Sequence, residues 1–135
     1  MGIAEKPVVE FYFDTSCPWS YLALDRVREA ALRTGSRVVY RPVLVDEVLR
    51  LANPGLPADR IDPVPARARY QAKDLGDWAR YCGLELHRPK PWPLRAEWAQ
   101  RGAVVAAGTG QAAAYLAAVF AALFAHDRDI RERAV

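Results

Sequence analysis

The chain of 135 residues has 52% hydrophobic and 26% charged residues, which is the composition of an ordinary globular protein of one domain. Its net charge of +3 comes from basic residues that alternate with acids along the chain, which argues against nucleic-acid binding. Two cysteines, Cys17 and Cys82, cannot form a disulfide framework, and we expect no metal site because zinc usually needs more ligands at closer spacing. The sequence contains no run of about 18 apolar residues and no signal-peptide pattern, so we expect a cytoplasmic chain with no membrane span and with reduced thiols.

The first part of the chain has the pattern of a βαβ unit. The apolar run from Val8 to Phe13 predicts a buried strand, and a second strand is predicted from Arg37 to Leu44. A helix between them is predicted to begin at Pro18, with Ser16 as its N-cap, and to end at Gly35. A strand, a helix and a strand in this order imply a parallel pair with a crossover connection.

The rest of the chain predicts helices and loops only. A proline-rich loop is expected from Asn53 to Pro65, and the last residues, 127–135, form a charged tail that we expect to fray. We therefore divide the chain into an N-terminal βαβ half (1–45), a helical insertion (46–126) and this tail. Since two parallel strands alone do not make a stable core, we expect either that the helices cover them in an unusual way or that strands are supplied from elsewhere. The predicted helices run over Asp46–Leu51, Arg67–Cys82, Leu94–Ala107 and Gln111–Ala125.

The segment Cys17-Pro18-Trp19-Ser20 is the first candidate for chemistry. A cysteine that follows a strand and begins a helix feels the field of the helix N-terminus, which favours its thiolate form. Redox sites at this position usually carry a second cysteine that resolves a mixed disulfide, and Ser20 stands there instead. Cys17 can still attack a disulfide, or hold another thiolate by hydrogen bonding. The plain alternative is that Cys17 is a small core residue near a turn.

Four separated motifs, in the right order, resemble those of the DsbA-like 2-hydroxychromene-2-carboxylate isomerases and kappa-class glutathione transferases. The first, FYFDTSCPWSYLAL, is similar to the family signature F-x-F-D-x-x-S-P-[FYW]-S-Y-L-A. The others are VPARARYQAKDLGDWARYCGL, WPLRAEWAQRG and AAAYLAAVFAALF. The resemblance extends from about Val8 to Phe124, which is nearly the whole chain.

This resemblance implies an α/β chain with an incomplete thioredoxin-like fold, in which a DsbA-type helical insertion follows the N-terminal βαβ unit. It also implies glutathione as cofactor, with a serine or cysteine at the helix start contacting the glutathione thiolate. Cys17 and Ser20 then take the catalytic positions, and Pro18 and Trp19 lie beside glutathione. Ser20 is expected either to cap the helix or to hydrogen-bond Cys17. The substrate implied is an unsaturated, aromatic-derived small molecule.

Further site residues follow from the same resemblance. Asn53 falls where the family has an asparagine that contacts glutathione, and Arg67 falls where it has a lysine near the glutathione carboxylate. Trp92 and Trp98 would line the substrate pocket. Each has a plain alternative: Asn53 is also a good turn former, Arg67 a solvated helix charge, and the tryptophans core residues.

The sequence departs from the family pattern in three ways. Cys17 replaces the usual serine, the N-[ST] residues after Trp92-Pro93 are missing, and the C-terminal strands with the cis-proline loop are absent. Three hypotheses stay open: a glutathione-dependent isomerase, a thiol-disulfide oxidoreductase or glutathione transferase that uses Cys17, and a truncated non-catalytic partner protein. The incomplete sheet also predicts self-association, as a homodimer.

Overall fold

A two-stranded parallel sheet and six helical segments make up the computed structural model, which describes residues 5–54 and 64–131. Strands β1 (Val8–Phe13) and β2 (Arg37–Pro42) pair in register from Val8 opposite Arg37 to Phe13 opposite Pro42. The parallel pair predicted from the sequence is therefore confirmed. The helices are α1 (Pro18–Thr34), α2 (Val45–Ala52), α3 (Pro65–Cys82), α4 (Glu97–Gly108) and α5 (Ala112–Phe120), which continues in a π-helical turn (Ala121–Ala125).

Glycines end two of the long helices, as predicted. Gly35 follows α1 with φ 65° and Gly83 follows α3 with φ 67°, a left-handed conformation that costs glycine little. After α1, the N–H of Ser36 donates to the carbonyl of Ala31 at 2.9 Å, which satisfies one of the last carbonyls of the helix. Both helix ends were therefore readable from local sequence.

The main hydrophobic core joins the strands to α1, α4 and α5. Phe13 of β1 and three side chains of the last helical segment, Leu116, Phe120 and Phe124, are fully buried in it. Tyr21 of α1 stacks on Phe124, with ring centroids 5.2 Å apart. Burial raises the pKa of the Tyr21 hydroxyl, which donates to the carbonyl of Glu85 at 3.0 Å. Residues from both sides of residue 45 belong to this core. The division of the chain at that residue stays a prediction.

Two sequence predictions about irregular segments meet different outcomes. The expectation that the tail frays is wrong as far as Arg131, because Ile130 is buried in the main core. The loop predicted from Asn53 to Pro65 lies largely outside the described residues. No helix in the described ranges is long and apolar enough to cross a membrane.

Candidate active site

The turn between β1 and α1 is held by the carboxylate of Asp14. Its Oδ1 accepts from the Ser16 N–H at 2.8 Å and from the Ser16 hydroxyl at 2.7 Å. Its Oδ2 accepts from the N–H of Val45 at 2.9 Å, which ties the turn to the start of α2. The N–H of Cys17 closes the turn by donating to the Asp14 carbonyl at 3.0 Å. A short aspartate side chain that bonds the backbone two residues ahead is a common turn device.

Cys17 is the N-cap residue of α1, and its thiol is free and partly exposed. Pro18 occupies the first helical turn, as predicted, where its missing N–H leaves no hydrogen bond unmade. This turn has no side-chain cap and no acidic residue, so the partial positive charge of the helix N-terminus is not offset within it. The prediction that Ser16 caps the helix is wrong, because its hydroxyl bonds Asp14 instead.

Ser20 has a structural partner that the sequence did not suggest. Its hydroxyl is buried and accepts from the N–H of Asp14 at 3.3 Å. It therefore neither caps α1 nor hydrogen-bonds Cys17 among the contacts seen, so both expectations for its bonding are corrected. The Ser20 hydroxyl therefore holds Asp14, the residue whose carboxylate bonds the turn.

Cys17 lies on the wall of a cavity of about 380 Å³. Such a volume is within the range of small-molecule sites. The walls come from the start of α1, from α2 and α3, and from the segment before α4. Apolar and aromatic side chains predominate, and Arg88 adds a cation whose guanidinium carbon lies 5.4 Å from the centre of the Trp92 ring. The lining includes Cys17, Trp19, Leu49, Gln71, Arg88 and Trp92, and Asp14 and Asp46 also line it.

The structure brings together some of the predicted site residues and not others. Cys17, Pro18, Trp19 and Trp92 all line the cavity. Trp98 does not: it is 45% exposed on α4, with the guanidinium of Arg101 over its ring at 5.0 Å.

Asn53 and Arg67 lie next to cavity-lining elements without being part of the wall. Asn53 is exposed at the end of α2, where its N–H donates to the carbonyl of Leu49, a lining residue, at 2.7 Å. Arg67 is exposed in the first turn of α3, directly before Ala68, which lines the cavity.

Two polar residues of this region were missed by the sequence reasoning. Arg88 lies in an irregular, proline-rich segment with no periodic signal. Gln100 is a buried polar residue on α4 whose side chain reaches the turn before Cys17. A signal for Gln100 did exist in the sequence, because it stands at helical spacing from Ala96 and Ala103, which the structure buries. Within the described ranges no cluster of three or more His, Cys, Asp or Glu side chains could hold a metal ion.

The fold and this site define a thioredoxin-like protein of the DsbA type. The profile of the DSBA-like thioredoxin domain family matches residues 8–135, and the chain belongs to this family. Its incomplete thioredoxin-like fold, with one parallel strand pair and a set of helices, is thereby confirmed.

Two kinds of protein are among the relatives of this chain. The chain is 30% identical over 125 residues to a 2-hydroxychromene-2-carboxylate isomerase of Sphingobium xenophagum, covering 93% of this chain and 62% of the relative. It is 31% identical over 118 residues to an enzyme of the same name from Pseudomonas putida, covering 87% of this chain and 56% of the relative. It is 30% identical over 88 residues to glutathione S-transferase kappa 2 of Caenorhabditis elegans, covering 64% of this chain and 37% of the relative.

A solved structure of a 2-hydroxychromene-2-carboxylate isomerase superposes on this fold with a TM-score of 0.72 at 25% identity. The match covers 95% of this chain and 61% of that structure. The chain thus spans about three fifths of the length of the two isomerases it resembles in sequence.

Proposed function

We propose that this chain is a glutathione-dependent isomerase of the 2-hydroxychromene-2-carboxylate isomerase type. The observation that carries the proposal is the position of Cys17, at the uncapped N-terminus of α1 and on the wall of an aromatic-lined cavity. The names of the relatives support the reaction class, and the match to a kappa-class transferase supports glutathione as the thiol.

The donors around the cavity fit a small peptide that carries carboxylates and a thiol. Arg88 in the wall, and Arg67 beside it, are cations suited to carboxylates. The N-terminus of α1 favours a negatively charged sulfur. Asn53, directly after α2, would offer its side-chain amide to the peptide. When bound, glutathione supplies a thiol that adds to a conjugated double bond and leaves again after rotation about the resulting single bond.

The protein's own residues then have simple tasks. Cys17 and the first turn of α1 stabilise negative charge on the sulfur. Trp19 and Trp92 cover an apolar, aromatic-derived substrate and exclude water from it. Ser20 acts through Asp14, by holding the turn, rather than at the substrate. We further propose that the chain works in a reducing, cytoplasmic compartment, which suits its two free cysteines.

A second candidate is thiol-disulfide exchange through Cys17. The partly exposed thiol at a helix N-terminus favours it, because such a thiol can form a mixed disulfide with glutathione. In that step the Cys17 sulfur bonds one sulfur of a disulfide, and the other sulfur leaves as a thiolate. No second cysteine lies at the Ser20 position to resolve the product, so a second glutathione must do it.

Substitution of Cys17 by serine separates the two functions. An isomerase should keep its activity on 2-hydroxychromene-2-carboxylate with reduced glutathione in Cys17→Ser, because a hydroxyl also donates a hydrogen bond to a thiolate. A thiol-exchange enzyme should lose all turnover of a glutathione mixed disulfide in the same variant. Cys82→Ser is the matched control, since Cys82 lies at the far end of α3 and should affect neither assay. A folded wild-type chain inactive in both assays would contradict both candidates and leave the non-catalytic partner protein.

A further inference from the structure

Gln100 is a buried amide on α4 that reaches across the molecule to the turn before Cys17. Its side chain is 6% exposed. The Oε1 atom accepts from the Thr15 N–H at 2.8 Å. The Nε2 atom donates to the carbonyls of Phe13 at 3.1 Å and of Val43 at 2.7 Å. One side chain therefore satisfies three backbone groups: the last residue of β1, the turn, and the residue just after β2.

The chemistry of this contact requires an amide. Burying a polar side chain is unfavourable unless its hydrogen bonds are made, and all of the atoms of Gln100 that can form them do so. A carboxylate could accept from Thr15 but has no hydrogen to donate to two carbonyls. An apolar side chain could make none of the three bonds, and would leave the buried Thr15 N–H without its Gln100 partner.

The contact bears on Cys17 because of what else holds the turn. Asp14 and Ser20 also bond it from within the same short stretch of chain as Cys17, and the Asp14 carboxylate ties it to Val45 at the start of α2. Gln100 is 85 residues away from Thr15 in sequence, and its side chain hydrogen-bonds α4 to the turn. Thr15 precedes Cys17 by two residues, so a shift of the Thr15 backbone reorients the start of α1.

We propose that Gln100 is a positioning residue, which fixes the Cys17 thiol at the cavity wall by holding the Thr15 amide. The proposal rests on the proposed function only in taking Cys17 as the reacting position. On this proposal, the helices after residue 64 do more than line the cavity, because one of them, α4, holds the turn that carries Cys17.

The test compares the alkylation rates of the two cysteines by iodoacetamide in the native protein, followed by mass spectrometry of the labelled peptides. In Gln100→Glu the side chain keeps its size and its acceptor but loses both donors. We expect the ratio of the Cys17 rate to the Cys82 rate to change several-fold. The matched control is Gln111→Glu, which makes the same chemical change at an exposed glutamine before α5 and should leave the ratio at the wild-type value. An unchanged ratio in a folded Gln100→Glu variant would overturn the proposal.

A second measurement covers the case in which Gln100→Glu does not fold. In the wild-type protein, native-state hydrogen exchange should show the Thr15 amide to be strongly protected. Fast exchange of this amide would mean that the bond to Gln100 is not maintained, and would overturn the proposal. Neither experiment uses glutathione or substrate. Failure of the proposed isomerase and failure of the Gln100 inference are therefore distinguishable.

Discussion

Thr15 has the most enclosed side chain of the turn before Cys17. It is fully buried, and its hydroxyl has no hydrogen-bond partner within the described part of the chain. A buried hydroxyl without a partner costs free energy, whereas its backbone N–H is well satisfied by Gln100. The turn is therefore fixed through the backbone N–H of Thr15, while the Thr15 hydroxyl makes no hydrogen bond within the described residues.

Replacement of Thr15 by valine should stabilise the protein. Valine has nearly the same shape and removes only the unpaired hydroxyl, so we expect the free energy of unfolding to rise by about 1 kcal/mol. Urea denaturation followed by circular dichroism measures this change. Thr109→Val is the matched control and should not stabilise, because the Thr109 hydroxyl does have a partner, the Val105 carbonyl at 3.1 Å. Destabilisation by Thr15→Val would show that the buried hydroxyl is bonded.

The residues of the site differ in how far local sequence predicts them. Cys17 and Pro18 were predicted because a strand, a turn and a helix start follow one another in sequence. The partners of Ser20 and Gln100 were not, because they depend on how the turn folds back and on a helix 85 residues further along. Trp98 was wrongly predicted to line the pocket. An aromatic residue on a helix can be assigned to a buried or an exposed face only when the packing of that helix is known.

Packing between α4 and α5 depends on a close approach at Gly102. The ring and hydroxyl of Tyr115 lie where a side chain at position 102 would be, and the hydroxyl donates to the Ala99 carbonyl at 2.8 Å. Burial raises the pKa of this hydroxyl. The glycine thus has a packing role inside a helix, where glycine is otherwise unfavourable.

Alanine substitutions at two helical glycines should have opposite effects. In Gly102→Ala the new methyl group overlaps Tyr115, so we expect a loss of about 1–3 kcal/mol in the free energy of unfolding. In Gly76→Ala, on α3, the nearest neighbour is the flexible end of Arg80 at 3.8 Å, so helix propensity should give a gain of about 0.5–1 kcal/mol. Thermal and urea denaturation of the pair measures both. Equal effects at the two sites would contradict the close packing of Tyr115 on α4.

Helices and strands were predicted well because their signals are local. Apolar spacing and terminal glycines are enough to place α1 and α3 within a few residues. The strand β2 ends at Pro42, two residues before the predicted end, because the chain then turns so that Val45 can bond Asp14. That contact joins residues 31 apart in sequence, so no local sequence pattern predicts it.

At the scale of the molecule, the sheet of the described residues has two strands. β1 pairs only with β2 among the described residues, and Val8 and Tyr12 on its outer face are 45% and 59% exposed. Unpaired strand edges with exposed apolar side chains favour association. We propose that the chain forms a homodimer through this surface.

Light scattering over a wide range of protein concentrations tests the dimer. We expect a mass that rises to twice that of the chain, and a shift toward monomer in Tyr12→Lys, because a charge on the outer face of β1 opposes pairing. Tyr70→Lys, at a similarly exposed tyrosine on α3, is the control and should still associate. A wild-type monomer at every concentration would count against the proposal.

Titration with reduced glutathione, followed by tryptophan fluorescence, tests the central claim most directly. Trp19 and Trp92 line the cavity beside Cys17 and should report its occupancy. We expect a saturable change that is reduced in Trp19→Phe and retained in Trp98→Phe, since Trp98 is outside the cavity wall. No change in a folded wild-type chain, checked by calorimetry, would contradict glutathione as the cofactor and favour a non-catalytic partner protein.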